Sequence, residues 1–295
     1  MRNEPQQDPR TRAKKPPFRE GTQPAPARES RMREKPDHGE ETYRGHGRLV
    51  DRVALVTGAD SGIGRAVALA YAREGADVAI SYLSEHEDAK ETERLVTDAG
   101  RRALLLPGDI SERATCDRVI NSTVDTFGRI DILVNNAAFQ GKSVENFEDI
   151  DDERVEQTFR TNIVAMFRLV RRALPHMKPG SAIINVASIQ AYQPSSGILD
   201  YAATKGAIVT FTKGLAQEVI KRGIRANAIA PGPVWTPLIV QSFAEEKVQS
   251  FGEGAPMERP AQPAEMAPAF VFLASDESRY VNGEVLGLTG GKPLA

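Results

Sequence analysis

The sequence predicts an α/β protein: one doubly wound domain in which helices cover both faces of a seven-stranded parallel sheet. Three observations carry that expectation. Short aliphatic or β-branched runs recur at regular intervals, amphipathic stretches lie between them, and 295 residues are enough for one large core. Strands that are apolar along their whole length are buried on both faces, as parallel strands joined by helical crossovers are.

Residues 1–48 come first. They are rich in Pro, Arg, Lys and Glu, nearly empty of aliphatic residues, and carry twelve Lys and Arg against eight Asp and Glu. Such a segment cannot build a core of its own, so it is an extended or flexible arm. Two readings of it stand: a solvated tail, or Pro-rich stretches around Phe18 and Tyr43 that drape over a partner subunit. The domain proper, 49–295, then supplies seven strand candidates in order: "RVALVTG", "DVAISY", "RALLLPGD", "DILVNNA", "SAIINVAS", "IRANAIAPG" and "GEVLGLTGG". Helices between them are marked by apolar residues three to five apart, such as Ile63, Val67 and Tyr71, or Val119, Val124 and Phe127, and are closed by Gly75 and Gly128. The segment 234–260 breaks the rhythm, and an interruption that long in a compact domain is usually functional.

Composition excludes several classes. A net charge of −2 demands no polyanionic partner, so nucleic acid is not expected. No run approaches the ~20 apolar residues that span a bilayer, and "MRNEPQQDPRTRAKKPPFRE" has no apolar signal region, so a cytoplasmic protein without a membrane partner is expected. The single cysteine, Cys116, cannot form an intramolecular disulfide and reads as a helix packing residue. His38, His46, His86 and His176 show no paired metal-ligand spacing; they read as surface or loop residues, and no metal is predicted.

The first strand runs into "TGADSGIGRAVALAYAREGA", which sets Gly58, Gly62 and Gly64 between a strand and an amphipathic helix. Glycine lets the backbone turn sharply and approach a pyrophosphate, and the helix N-terminus offers unpaired N–H groups and a positive dipole end. A dinucleotide site follows. The spacing differs from G-x-G-x-x-G, and it resembles the TGxxxGxG motif of the short-chain dehydrogenase/reductase family. Further matches come in chain order: "GDI" with Asp109, "NNAA" with Asn136 and Ala137, Asn162 in "FRTNIVAMF", Ser188 in "INVASIQAY", the pair Tyr201 and Lys205, and "PGPVWT". Ala138 replaces the usual glycine of NNAG.

The resemblance implies a Rossmann domain that holds NAD or NADP through Gly58, Ser61, Gly62, Ile63, Gly64, Tyr82, Asp109, Ile110, Asn136, Ala137, Tyr201, Lys205, Pro231, Gly232, Val234 and Thr236. It also implies a homotetramer, and a lid near 234–260 in which Trp235, Leu238, Ile239 and Phe243 face the pocket or pack beneath it. The arm together with "SYLSEHEDA" is similar to a bacterial subgroup related to general stress and glucose/ribitol dehydrogenase-like proteins.

Tyr201 and Lys205 stand four residues apart, ~40° around a helix, and so share one face. Free tyrosine, with a pKa of ~10, is a poor base at neutral pH. Lowering it by ~3 pH units takes ~4 kcal/mol, which a nearby ammonium and an oxidised nicotinamide ring can supply. The expected reaction interconverts a secondary alcohol and a carbonyl by hydride transfer, with Tyr201 as acid/base and Ser188 stabilising the oxygen. The resemblance adds two roles, Lys205 on the nicotinamide ribose and Asn162 holding a water. Ser188, Gln190, Tyr201 and Trp235 are the expected substrate residues, and a small carbonyl or alcohol, whether sugar, polyol, aldehyde or ketone, is the expected partner.

At the end of the second strand Tyr82 stands where an acid would mark NAD, and Ser61 and Leu83 supply no cation for NADP, so both cofactors remain open. Two other readings differ in chemistry. One is a catalytically silent dinucleotide sensor, which the presence of both Tyr201 and Lys205 opposes. The other is an enoyl reductase, whose relatives place six residues between the tyrosine and the lysine where this chain has three.

Overall fold

All seven aliphatic runs become strands in the computed structural model, which describes residues 8–294. They are β1 Val53–Thr57, β2 Asp77–Tyr82, β3 Ala103–Pro107, β4 Ile132–Asn135, β5 Ala182–Val186, β6 Arg225–Pro231 and β7 Val285–Leu288. The strands pair in parallel in the order β3-β2-β1-β4-β5-β6-β7. β1 is an interior strand beside the central β4, with Val56 level with Ile80 of β2 on one side and Val134 of β4 on the other. The chain leaves β1 in one direction and β4 in the other, which opens a crevice at their carboxyl ends.

Helices cover both faces. On one side α1 (Gly62–Arg73) and α9 (Pro263–Ala274) bury Val67, Tyr71, Met266 and Phe270 against the sheet. Tyr71 is wholly enclosed and donates its hydroxyl to Phe270 O at 3.2 Å. On the other side α3 (Arg113–Phe127), α5 (Ala165–Ala173) and α6 (Leu199–Val219) bury Val119, Ile120, Leu169 and Ala216, with Cys116 packed among them. α2 (His86–Asp98) follows β2, and α4 (Asp152–Phe159) passes into α5 through a π-helical turn, Arg160–Val164. Gly128 ends α3 in the left-handed region at φ +80°, and Gly75 follows α1 at φ +102°. The segment 234–260 contains two short helices, α7 (Pro237–Ser242) and α8 (Glu245–Gln249).

Residues 8–48 follow the surface of their own core. Phe18 stacks on Trp235 at 4.0 Å between ring centroids, and both rings are buried with Val240, Val248 and Phe251. Backbone bonds join Phe18 N to Gln249 O and Gln23 N to Val240 O, each at 2.9 Å, while Trp235 Nε1 donates to Glu34 O at 2.8 Å. Further on, Asp88 of α2 accepts from Glu29 N and Ser30 N, both at 2.8 Å. The end of the arm closes over Glu74, whose fully buried carboxylate takes Arg48, the Tyr43 hydroxyl and the His46 and Arg48 amides. Among the described residues no helix is long and apolar enough to cross a membrane.

Phe18 supplies a buried ring from outside the domain, so Phe18→Ala should lower unfolding stability by about 3–5 kcal/mol in urea titration. Phe147→Ala, at a ring 69% exposed, should stay within about 0.5 kcal/mol of the parent.

Candidate active site

The crevice is built by loops at the carboxyl ends of the strands. After β1, Gly58 and Gly62 adopt φ +62° and +50°, conformations that disfavour any side chain. A Cβ on Gly62 would lie 3.1 Å from Thr236 Cγ2, and one on Gly64 would fall 2.0 Å from Gly58 O. The loop after β4 is locked to this one. Asn136 Nδ2 donates to Thr57 O (2.8 Å) and Gly58 O (3.0 Å), and Thr57 Oγ1 accepts from the amides of Asn136 and Ala137, both at 3.0 Å. The result is a stretch of bare backbone at Gly58 and Gly62 beside a helix N-terminus, a form that fits a pyrophosphate-bearing cofactor.

The other end of the crevice belongs to α6 and the turn after β5. Tyr201 and Lys205 are both buried, with Lys205 Nζ 5.0 Å from the centre of the Tyr201 ring and donating to Val186 O at 2.8 Å. Ser188 follows β5, and its Oγ accepts from Gln190 N at 3.1 Å. Burial pushes the Lys205 ammonium, only 2% exposed, down to about 7. Burial also raises the Tyr201 phenol well above its ordinary range, and the hydrogen bond to Ser188 opposes that rise. In the chain alone, loss of solvation acts on both groups and favours both neutral forms; the sequence expectation of a lowered phenol invokes the charge of oxidised nicotinamide as well as the ammonium.

Asn162 has a different position from its three partners. It lies in the π-helical turn, accepts from Phe139 N (2.7 Å) and donates to Phe139 O and Thr204 Oγ1, both at 3.0 Å. Its side chain thus braces the loop after β4 against α6, between Tyr201 and Lys205. π turns of this kind recur at functional sites because they shift the helix register. Arg154 and Asp200 brace the same helix from α4 by a buried pair at 2.7 Å.

The glycine loop, Ser188, Tyr201 and Lys205 share one cavity of about 750 Å³, whose lining does not include Asn162, Arg154 or Asp200. Gly58, Ser61, Gly62, Ile63, Tyr82, Asp109 and Ile110 line one end, and Ser188, Gln190, Tyr201 and Lys205 the other. Asn136, Ala137, Pro231, Gly232, Val234 and Thr236 lie on the walls between them. Gly64 packs beneath, against Gly58. Trp235 is corrected as a substrate residue, since its ring is buried behind the cavity wall against Phe18. Gln190 Oε1 accepts from Ser195 N and Gln193 Nε2 donates to Pro293 O, whereas Gln140 Nε2 is buried without a hydrogen-bond partner.

Sequence reasoning missed three cavity groups, the arm segment 25–27, Asp60 and Glu85, whereas Gln140 was among the amides it placed at the strand ends. Ala25 to Ala27 of the arm form part of its wall, and Gln241 Oε1 holds Ala27 N at 2.8 Å. Asp60 and Glu85 line the end near Tyr82, and Gln140 lines the other. Asp60 is raised to about 7 by burial, with the Glu85 charge adding to the rise and the Ser61 hydroxyl opposing it.

Behind the glycine loop, Glu29 of the arm accepts from Gly62 N at 2.9 Å and pairs with Arg65. His38, read from sequence as a surface or loop residue, is a loop residue only 2% exposed: Nε2 meets Glu29 at 3.1 Å and Nδ1 meets Glu40 at 2.9 Å. Burial opposes its charge, but the hydrogen bonds to the two carboxylates outweigh burial and raise its pKa.

A glycine cradle at a topological switch point, facing a buried tyrosine and lysine, defines a nicotinamide-dependent oxidoreductase of the doubly wound class. The chain belongs to the short-chain dehydrogenase/reductase family: residues 58–292 match a family model described as enoyl-(acyl carrier protein) reductase. It is 50% identical over 266 residues to general stress protein 39 of Bacillus subtilis, covering 90% of this chain and 93% of that one. It is 49% identical over 282 residues to the glucose and ribitol dehydrogenase of Daucus carota, covering 94% and 96%. A solved short-chain dehydrogenase from Burkholderia cenocepacia, in complex with NADP, superposes with a TM-score of 0.77 at 30% identity, covering 83% of this chain and 98% of the other. The cofactor is accordingly NAD or NADP.

His38 links the arm to the glycine loop by charge, and its contribution has a direction in pH. Its raised folded pKa means that the stabilisation is fully present below about 6.5, the ordinary value, and is lost as pH rises through the folded value. In urea unfolding, the gap between the parent and His38→Gln should be largest near pH 6 and shrink by pH 9. A gap that widens with pH would refute the assignment.

Proposed function

We propose that the protein interconverts a secondary alcohol and a carbonyl compound, with Tyr201 as the group that gives and takes the proton. The observation that carries this reading is the stacking of Lys205 on Tyr201 at the buried end of the cavity, with the Ser188 hydroxyl beside the phenol. A bound nicotinamide dinucleotide supplies or accepts the hydride. Gly58, Ser61, Gly62, Ile63, Asp109, Asn136, Ala137 and the Pro231–Thr236 wall would hold it.

In reduction the Tyr201 hydroxyl gives its proton to the substrate oxygen, and in oxidation the phenolate takes it back. The Ser188 hydroxyl donates to the same oxygen as charge develops on it. Lys205 Nζ, tethered to Val186 O, is aimed so that its charge, when present, stabilises the phenolate. Asn162 and the Arg154–Asp200 pair hold α6 in register, so a loss there acts through the position of Tyr201. The silent-sensor reading loses support from this arrangement, because a binding-only site has no need of a buried lysine against a buried phenol. The three-residue spacing of the pair likewise favours carbonyl over enoyl reduction.

The substrate we infer is a small hydroxylated carbonyl or alcohol of the sugar or polyol kind. Gln140 Nε2 supports it, as a buried donor left for a ligand oxygen. The assembly we infer is a homotetramer, supported by the exposed Phe159, Val164 and Phe167 side chains along α4, the π turn and α5. Cytoplasmic action is part of the same reading. Tyr201→Phe should cut kcat by at least about 10²-fold while leaving dinucleotide affinity within a few-fold. Steady-state kinetics and equilibrium titration on the same preparation test this, and retained turnover would exclude Tyr201 as the proton donor.

A further inference from the structure

The second strand ends without the acid that would mark NAD, yet the fold brings two acids to the same place from elsewhere. Asp60 comes from the glycine loop and Glu85 from the turn three residues beyond Tyr82. Their exposures are only 8% and 5%, and both line the cavity at the end formed by Ser61, Tyr82, Leu83 and Asp109. The turn is folded back by Gly108 N, which donates to Tyr82 O at 2.8 Å and Leu83 O at 3.1 Å. We infer that Asp60 and Glu85 select a dinucleotide with a free ribose 2′-hydroxyl, NAD, over one that carries a 2′-phosphate.

This rests on the dinucleotide reading proposed above. Three observations support it. First, the partners of the two carboxylates are neutral: Ser61 Oγ donates to Asp60 at 2.9 Å, and Ser84 donates to Glu85 through N (3.1 Å) and Oγ (2.7 Å). Second, the segments that form this end, 58–63 after β1, 81–85 at the end of β2 and 108–110 after β3, contain no lysine or arginine; the cavity's lysines, Lys205, Lys247 and Lys292, come from α6, α8 and the segment after β7. The nearest cation of the glycine loop, Arg65, is buried behind it. Its guanidinium donates to Asp60 O and Asp88 O and pairs with Glu29 of the arm, so it is already engaged away from the cavity. Third, Ser81 Oγ, on a side chain only 1% exposed, lines the same end and has no hydrogen-bond partner.

A phosphate carries about −1.5 to −2 at neutral pH and has nothing to offer a carboxylate but repulsion. A ribose hydroxyl can donate to a carboxylate and accept from a serine hydroxyl, which meets both the charge and the orphaned Ser81. Like charges set against a phosphate in a buried site are screened weakly by salt.

Equilibrium titration of the full-length protein with NADH and NADPH, by dinucleotide fluorescence at pH 7.5 and fixed ionic strength, tests the inference without turnover. The expected result is NADH bound at least about tenfold more tightly. Glu85→Gln and Asp60→Asn should each narrow the ratio by strengthening NADPH, and Glu85→Lys should bring it to parity or beyond. Circular dichroism melts confirm that each variant is folded. NADPH bound as tightly as NADH by the parent, or a ratio unmoved by all three substitutions in folded protein, would overturn the inference and leave the dinucleotide site standing. Binding of neither by the parent would overturn both.

Discussion

The site depends on one junction, the tie between the ends of β1 and β4. Asn136 and Thr57 exchange hydrogen bonds across the crevice, and Asn136 also holds Gly58 O. These bonds satisfy backbone groups that would otherwise be stranded where two strands end and their chains diverge. They also bring the loop that would take phosphates against the loop that faces the nicotinamide end. The glycines follow from this closeness, since Gly58 lies against Ala137 and Gly64 against Gly58 O. A chain with the same sheet but without that tie would have two separate loops.

On this scaffold the chemistry is a matter of desolvation. Lys205 and Tyr201 are enclosed together, and enclosure favours the neutral form of each. On the proposed reading, the chain alone would favour proton donation, the direction of carbonyl reduction. Proton acceptance needs added positive charge, which oxidised nicotinamide carries and reduced nicotinamide does not. The acid/base state of the protein would then track the redox state of its cofactor without any movement of the backbone.

Much of this was legible in the sequence because it is written as local pattern. Each strand is an unbroken apolar run, and Tyr201, Lys205, Ser188 and the glycines lie at spacings tied to one helix or one turn. The rest depends on contacts between distant segments. The arm has no periodicity, and its course is decided by single residues such as Phe18 on Trp235 and Glu29 at Gly62. Trp235 faces the arm and not the substrate because Phe18 offers it a buried partner. Glu85 is out of register with the position where an acid is sought, and only the fold of the turn after β2 carries it into the cavity. Asn162 was singled out by the resemblance alone, and its clasp on Phe139 and Thr204 depends on a π turn that no propensity announces.

The central claim is that the Tyr201 phenol is held protonated by the chain and released by the cofactor's charge. Ultraviolet difference titration of tyrosine ionisation, parent minus Tyr201→Phe, with and without oxidised dinucleotide, measures it directly. The account predicts that without dinucleotide Tyr201 ionises only above pH ~10, the ordinary tyrosine value, and that saturation with oxidised dinucleotide moves the ionisation to lower pH. A phenolate already present near neutral pH in the chain alone, or one that the bound dinucleotide leaves unmoved, would contradict it.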